Sequence, residues 1–261
     1  MPHVDFNGTH LYFRREGSGP ALVLLHGLGS SGQDWQYQID YFSQWFDVIA
    51  PDFPLHGRSG GEISAFNLPQ CAEAVNALLD SIGIEQATVV GVSMGGMVGL
   101  ELATAFPSRV TRLCVVNALA ECRPRRLTEW WMLLSRRLLL KYASIERIAS
   151  LMAKQLLPGE QHAALRQEVI ARWSANDRER YIAAFNALLQ WDVLSRLPQL
   201  TCPLLMLASE YDYTPTGAKK VLAMIYPGGV FDMLKGAHHL APLEMPGDFN
   251  RALELWLEQT A

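Results

Sequence analysis

Three short segments of this 261-residue chain carry side chains suited to covalent acyl chemistry. The first is Gly91-Val92-Ser93-Met94-Gly95-Gly96. Small residues two positions either side of Ser93 allow a sharp turn between a strand and a helix. Such a turn pushes Oγ outward and aims the free N–H groups of the helix N-terminus at developing negative charge. A serine hydroxyl is a poor nucleophile, so a base must take its proton and an acid must orient that base. Downstream, acids occur in Ser209-Glu210-Tyr211-Asp212-Tyr213-Thr214-Pro215 and histidines in Gly236-Ala237-His238-His239. By position alone, Glu210 competes with Asp212 and His238 with His239.

The elements that must position these residues are legible from apolar runs. Alternating His3–Phe6 and Thr9–Phe13 flank Asn7-Gly8, the dipeptide suited to the two positive φ angles of a type I′ hairpin. Ala21–Leu25, Asp47–Ala50, Ala87–Val92, Leu113–Val116, Leu204–Ala208 and Val230–Leu234 lack polar alternation and read as parallel strands buried on both faces. Between them run helical stripes. Asn67 caps one with Gln70 three residues on, and Ala72, Val75, Leu79 and Ile82 share its face. At the C-terminus Phe249, Leu253, Trp256 and Leu257 form another. Strands alternating with helices imply an α/β fold: a mostly parallel sheet with helices on both faces. Residues 120–197 break the rhythm. The stripes Leu127/Trp131/Leu134/Leu138, Ile145/Ile148/Met152/Leu156 and Tyr181/Phe185/Leu188 contain no convincing strand. This reads as an all-helical lid inserted into a core of residues 1–119 and 198–261, lying over the crevice where open α/β sheets bind ligands.

With these segments in order, the chain resembles the α/β-hydrolase fold superfamily, in its serine esterase-like branch, over essentially its whole length. His26-Gly27-Leu28-Gly29 is similar to the oxyanion-loop motif, and Asp52 through Ser59 to the D-x-x-G-H-G-x-S loop. Gly91–Gly95 matches the nucleophile elbow, and His239 through Glu244 and Pro246 the H-x-x-x-x-E-x-P ending. The resemblance implies Ser93 as nucleophile, His239 as general base and Asp212 as orienting acid, with the backbone N–H groups of Leu28 and Met94 as oxyanion hole. In some relatives the acid follows the earlier strand, where this chain has Asn117 and Glu121. His26 and His56 are expected to brace loops. Leu55 stands where the superfamily more often has Gly. If that Gly needs a positive φ, this loop is expected to take another course.

The insertion is basic. Residues 121–190 carry 12 Lys+Arg and 7 Asp+Glu, a charge of +5, against −9 for the remainder and −4 for the chain. A solvated face of amphipathic helices is the plain reading, with Arg stems covering apolar surface. The sharper one is a dock for an anionic substrate or an acidic carrier protein, densest at Arg123, Arg125, Arg126, Arg136 and Arg137. Trp130, Trp131, Met132, Trp173, Phe185 and Trp191 are mostly at the spacing of lid core. Trp130, Trp131 and Leu240 are candidates to face the substrate pocket.

Composition narrows the rest. With 49% hydrophobic and 18% charged residues, the chain suits one folded domain carrying an insertion. Mild acidity argues against nucleic acid as a partner, and no apolar run is long enough to cross a membrane. Cys71, Cys114, Cys122 and Cys202 form no CxxC pair and lack metal-ligand spacing, and the N-terminus lacks a signal-peptide pattern. A cytoplasmic protein is expected, with no metal and no organic cofactor required. The expected activity is hydrolysis of a small carboxylic ester through an acyl-enzyme. A carbon–carbon bond hydrolase acting on ring-fission diketones and a carrier-ester esterase are the alternatives.

Overall fold

A computed structural model describes residues 2–124 and 127–260, so Arg125 and Arg126 of the arginine cluster lie outside the described residues. The chain opens with a hairpin of β1 (His3–Phe6) and β2 (Thr9–Gly17), whose turn has Asn7 at φ 51° and Gly8 at φ 77°. Six strands follow: β3 (Ala21–Leu25), β4 (Asp47–Pro51), β5 (Ala87–Val92), β6 (Val110–Val116), β7 (Leu204–Ser209) and β8 (Val230–Leu234). The sheet order is β1-β2-β4-β3-β5-β6-β7-β8, with β2 antiparallel to β1 and β4 and all other pairs parallel.

Strands β3, β4, β5 and β7, and β6 from Leu113 onward, bury both faces, and the period of two sorts their residues between two helical layers. On one face Val23, Leu25, Val89, Leu113, Val115 and Met206 pack under α2 (Leu68–Ser81), α3 (Met94–Ala105) and α8 (Thr216–Ile225). On the other Leu22, Leu24, Val90, Cys114, Leu205 and Leu207 pack under α1 (Gln36–Phe42) and α10 (Pro246–Gln259). The expected stripe Phe249, Leu253, Trp256 and Leu257 is the buried face of α10. The expected cap is also present: Asn67 Oδ1 accepts from Gln70 N at 2.8 Å at the start of α2.

Between β6 and β7 lie α4 (Leu127–Tyr142), α5 (Ile145–Leu156), α6 (Ala163–Ser174) and α7 (Arg178–Gln190). They pack on loops that follow other strands. Ala149, Ala153, Leu157, Val169 and Trp173 cluster with Leu240 and Leu243, which lie beyond β8. Leu140, Ile148 and Tyr181 cluster with Leu28, beyond β3. The four helices therefore rest on the carboxyl end of the sheet. No helix among the described residues is long and apolar enough to cross a membrane.

The aromatic residues of this segment divide in a way periodicity does not foresee. Trp173 and Trp191 are buried, but α4 leaves Trp130 (54%), Trp131 (69%) and Met132 in solvent, along with Leu127, Leu134 and Leu138. The expected Leu127/Trp131/Leu134/Leu138 stripe is thus an outer face of α4, and Leu140 is the helix's buried residue.

Candidate active site

Ser93 follows β5 directly and has φ 55°, ψ −120°, a backbone strain of about 1–3 kcal/mol that surrounding structure must hold in place. The neighbouring glycines explain how. A Cβ on Gly91 would lie 2.2 Å from Gly95 O, and one on Gly95 would lie 2.0 Å from Leu25 O. Helix α3 can therefore cross β5 and β3 at this depth only without side chains at 91 and 95. Its first residue is Met94, whose N–H has no intrahelical acceptor. The Gly27–Leu28 loop passes beside it, since a Cβ on Gly27 would be 3.6 Å from Ser93 Cβ.

Asp212 and His239 arrive on the loops after β7 and β8. His239 Nδ1 and Asp212 Oδ1 are 2.6 Å apart, and both side chains are almost fully buried. Burial alone would raise the Asp212 pKa, but His239 and then Lys219 hold it down at about 2. Two hydrogen bonds in series tie this pair to the serine. Ser93 N donates to Val116 O at 2.8 Å, and the next residue, Asn117, donates through Nδ2 to His239 O at 3.0 Å. Among the described residues no hydrogen bond joins Ser93 to His239. Such bonds are commonly long before substrate closes a site.

The rival residues have other partners. Glu210 accepts from Gly236 N at 2.8 Å, bracing the loop before the histidines. His238 is held by Glu244, through its ring Nδ1 at 2.6 Å and its backbone N–H at 2.7 Å. Asn117, weighed as the position of an alternative acid, is a strut with φ 49°. Its Oδ1 accepts from Ser209 N and Lys219 Nζ while its Nδ2 donates to Ser209 Oγ and His239 O. Glu121 forms a β-bridge with Asp192 at the edge of the helical segment.

The loops on the other side of Ser93 are joined by His26. Its Nε2 accepts from Phe53 N at 3.0 Å while Nδ1 donates to Gly27 O at 2.8 Å, which fixes a neutral tautomer. Burial lowers its pKa to about 4. His56 packs against His26 and Phe66, with its pKa lowered by burial to about 3. Leu55 corrects an expectation. The loop does not take another course; Leu55 itself adopts φ 65°, its N–H bonded to Gly60 O at 2.8 Å and its side chain buried against Gly61.

Three pocket candidates are placed as follows. Leu240 is 9% exposed and packs among α5 and α6 residues, whereas Trp130 and Trp131 are largely in solvent. Other neighbours of the site are Tyr213, whose ring centroid is 4.6 Å from that of His239, and Tyr181, which lies against Gly29. Asn176 Nδ2 donates to Gly29 O at 2.6 Å, tying the helical segment to the Leu28 loop. Much of the basic charge is used internally. Arg178 and Arg166 donate to backbone carbonyls, Arg172 pairs with Asp34, and Arg136 lies over the Tyr181 and Phe185 rings.

Glu244 belongs to the ending motif, but its hold on His238 is not legible there, and Lys219 and Thr214 are not foreseen as parts of this cluster. The one signal for Lys219 was a charged residue at the spacing of the buried Leu222 and Ala223 on α8.

Known proteins resemble this chain in sequence and in fold. The chain is 30% identical over 239 residues to 3-oxoadipate enol-lactonase 2 of Acinetobacter baylyi, covering 90% of this chain and 87% of that one. It is 26% identical over 259 residues to the (E)-2-((N-methylformamido)methylene)succinate hydrolase of the same organism, covering 97% and 96%. The crystal structure of the enol-lactonase from Burkholderia xenovorans LB400 superposes with a TM-score of 0.89 at 24% identity, covering 98% of this chain and all of that one, a likeness of fold. The sequence profile of the alpha/beta hydrolase family matches residues 22–252, a span that runs from β3 into α10 and takes in Ser93, Asp212 and His239. By fold and by sequence, the chain is a hydrolase belonging to the alpha/beta hydrolase family.

Proposed function

We propose that the protein hydrolyses carboxylic esters, open or cyclic, through an acyl-enzyme on Ser93. The observation that carries the reading is the buried 2.6 Å contact of His239 with Asp212 at the same sheet end as a serine held at positive φ. In this mechanism His239 Nε2 takes the Ser93 proton as Oγ attacks the carbonyl. Asp212 keeps Nδ1 protonated and stabilises the imidazolium that forms. The N–H groups of Leu28 and Met94 receive the oxyanion, His239 returns its proton to the leaving alkoxide, and water repeats the sequence to release the acid. Helices α4–α7 act as the cap that shapes the acyl and alcohol sites. A lactone is an internal ester opened by the same attack, and the Acinetobacter relative is named an enol-lactonase.

Turnover of aryl esters with acyl chains from acetyl upward, by the native protein and Ser93→Ala in parallel, tests this. Loss of the nucleophile is expected to lower turnover on the order of 10⁶-fold. A native protein inert toward esters and simple lactones, yet active on a vinylogous diketone, would replace the ester reading with carbon–carbon bond hydrolysis.

A further inference from the structure

One buried cation touches the candidate site and has no part in the mechanism above. Lys219 projects from the inner face of α8, is 0% exposed, and donates to Asp212 Oδ2 and, at 3.1 Å, to Asn117 Oδ1. The two oxygens of Asp212 are thereby divided. Oδ1 faces His239, while Oδ2 receives Lys219 and the Thr214 hydroxyl. Asn117, which orients Lys219, also holds the His239 carbonyl, so one side chain sets the relative position of cation, acid and base.

Stability does not account for an ammonium here. Removing it from water is costly, and an apolar side chain of similar volume is often as stable or more so in such a place. A neutral donor, Thr214, already serves Oδ2. What a cation adds is charge on the side of Asp212 remote from His239.

We infer that Lys219 is a positioning residue for the Ser93 reaction: it locks Asp212 with Oδ1 toward His239 and offsets part of the carboxylate's charge, so that the base stays unprotonated and the enzyme active to lower pH. This rests on the ester-hydrolase reading of the same site. The sign follows from Coulomb's law. Asp212 favours the imidazolium, Lys219 opposes it, and removing Lys219 leaves the full carboxylate facing the ring. The base then takes up a bulk proton at higher pH and is lost as a base sooner on acidification. Burial lowers the Lys219 pKa and the Asp212 carboxylate opposes that shift.

The other groups around the pair are accounted for. Tyr213 lies on the His239 ring; beyond it, Arg136 of α4, Tyr181 of α7 and Cys122 act electrostatically on its hydroxyl. His238 is closed on Glu244, with His162 at 3.5 Å from that carboxylate. Lys219 is the cation in direct contact with Asp212 among the described residues.

The test is Lys219→Gln, read by the pH profile of kcat/KM and by the low-field proton NMR resonance of the His239 Nδ1–H···Asp212 bond, which needs no substrate. The acid limb is expected to move up by about one pH unit, so that the loss grows to about tenfold as pH falls, in kcat more than KM. The resonance is expected to move, because Asp212 becomes the stronger acceptor. Lys219→Met, apolar and similar in length, should reproduce both changes and serves if the Gln variant does not fold. A pH profile and resonance that superimpose on the native ones would overturn the inference, as would failure of both neutral variants to fold, which would make Lys219 a stability residue alone. A native protein that turns over no ester, but whose resonance moves in Lys219→Gln, would retire the ester reading and leave the hold of Lys219 on Asp212 standing.

Discussion

Ser93 is held at φ 55° by what its neighbours lack. Gly95 is the tightest point, because a methyl group there meets the Leu25 carbonyl, a backbone atom of the sheet that cannot rotate away. Gly95→Ala should therefore push α3 off β3. We expect a loss of about 2–4 kcal/mol in stability together with most of the ester hydrolysis, measured by urea unfolding and turnover. Gly217→Ala, which meets nothing within 4 Å, is the control and should be neutral or slightly stabilising. Leu55 shows the opposite arrangement. It tolerates φ 65° with a side chain present, and its buried position and the Gly60 hydrogen bond offset the strain.

Elements, not single residues, keep the elbow helix in place behind Ser93. Glu101 on α3 is 3% exposed and receives Arg196 through both oxygens, at 2.5 and 2.6 Å, and Trp191 Nε1 at 2.7 Å. These partners come from the stretch that leads the chain from α7 back to β7, so the contact fastens the return of the helical segment to the core. Glu101→Gln keeps an acceptor for Trp191 but leaves the guanidinium without its carboxylate. With Glu101 buried but the Arg196 side chain one-third exposed, breaking the pair from one side should cost about 1–2 kcal/mol. The urea midpoint should fall with the m-value unchanged, and adding Arg196→Met should recover part of the loss. Asn176, between α6 and α7, and Tyr181 on α7 hold Gly29, which couples these two helices to the Gly27–Leu28 loop.

For the molecule as a whole, acid stability follows from two histidines remote from any solvent. His26 and His56 are neutral when folded, with pKa values lowered by burial to about 4 and about 3. In the unfolded chain they protonate near their ordinary value. Their contribution is thus fully present above about pH 6.5 and is lost progressively as pH falls toward 4 and 3. Between pH 7 and pH 5 the unfolding free energy should drop by roughly 4 kcal/mol from these two groups. These two groups should take up about two protons on unfolding at pH 5, so His56→Phe should take up about one fewer than the native protein. The depressed Asp212 adds a further loss in the same direction, confined to the range from about 4 down to about 2. Urea titrations across this range measure all three.

What the sequence by itself determined is local. The Asn7-Gly8 turn, the Asn67 cap, the limits of β3, β5 and β8 and the glycines flanking Ser93 all depend on interactions within a few residues, so their pattern is written in adjacent positions. The motifs also carried Ser93, Asp212 and His239, because each follows a strand whose end is legible. The tertiary structure decided what crosses the chain. Asn117 on His239 and Tyr181 on Gly29 join residues 122 and 152 positions apart, while Lys219 on Asp212 and Glu244 on His238 span only seven and six residues yet depend on how the fold turns those side chains. It also decided that Trp130 and Trp131 face solvent while Trp173 does not. Helical period alone defines a stripe, but burial of the stripe depends on which neighbour is brought against it. The same holds for charge: α8 follows directly on the loop that carries the acid, but a lysine there has no sign of purpose until the fold turns its side chain inward onto Asp212 and Asn117.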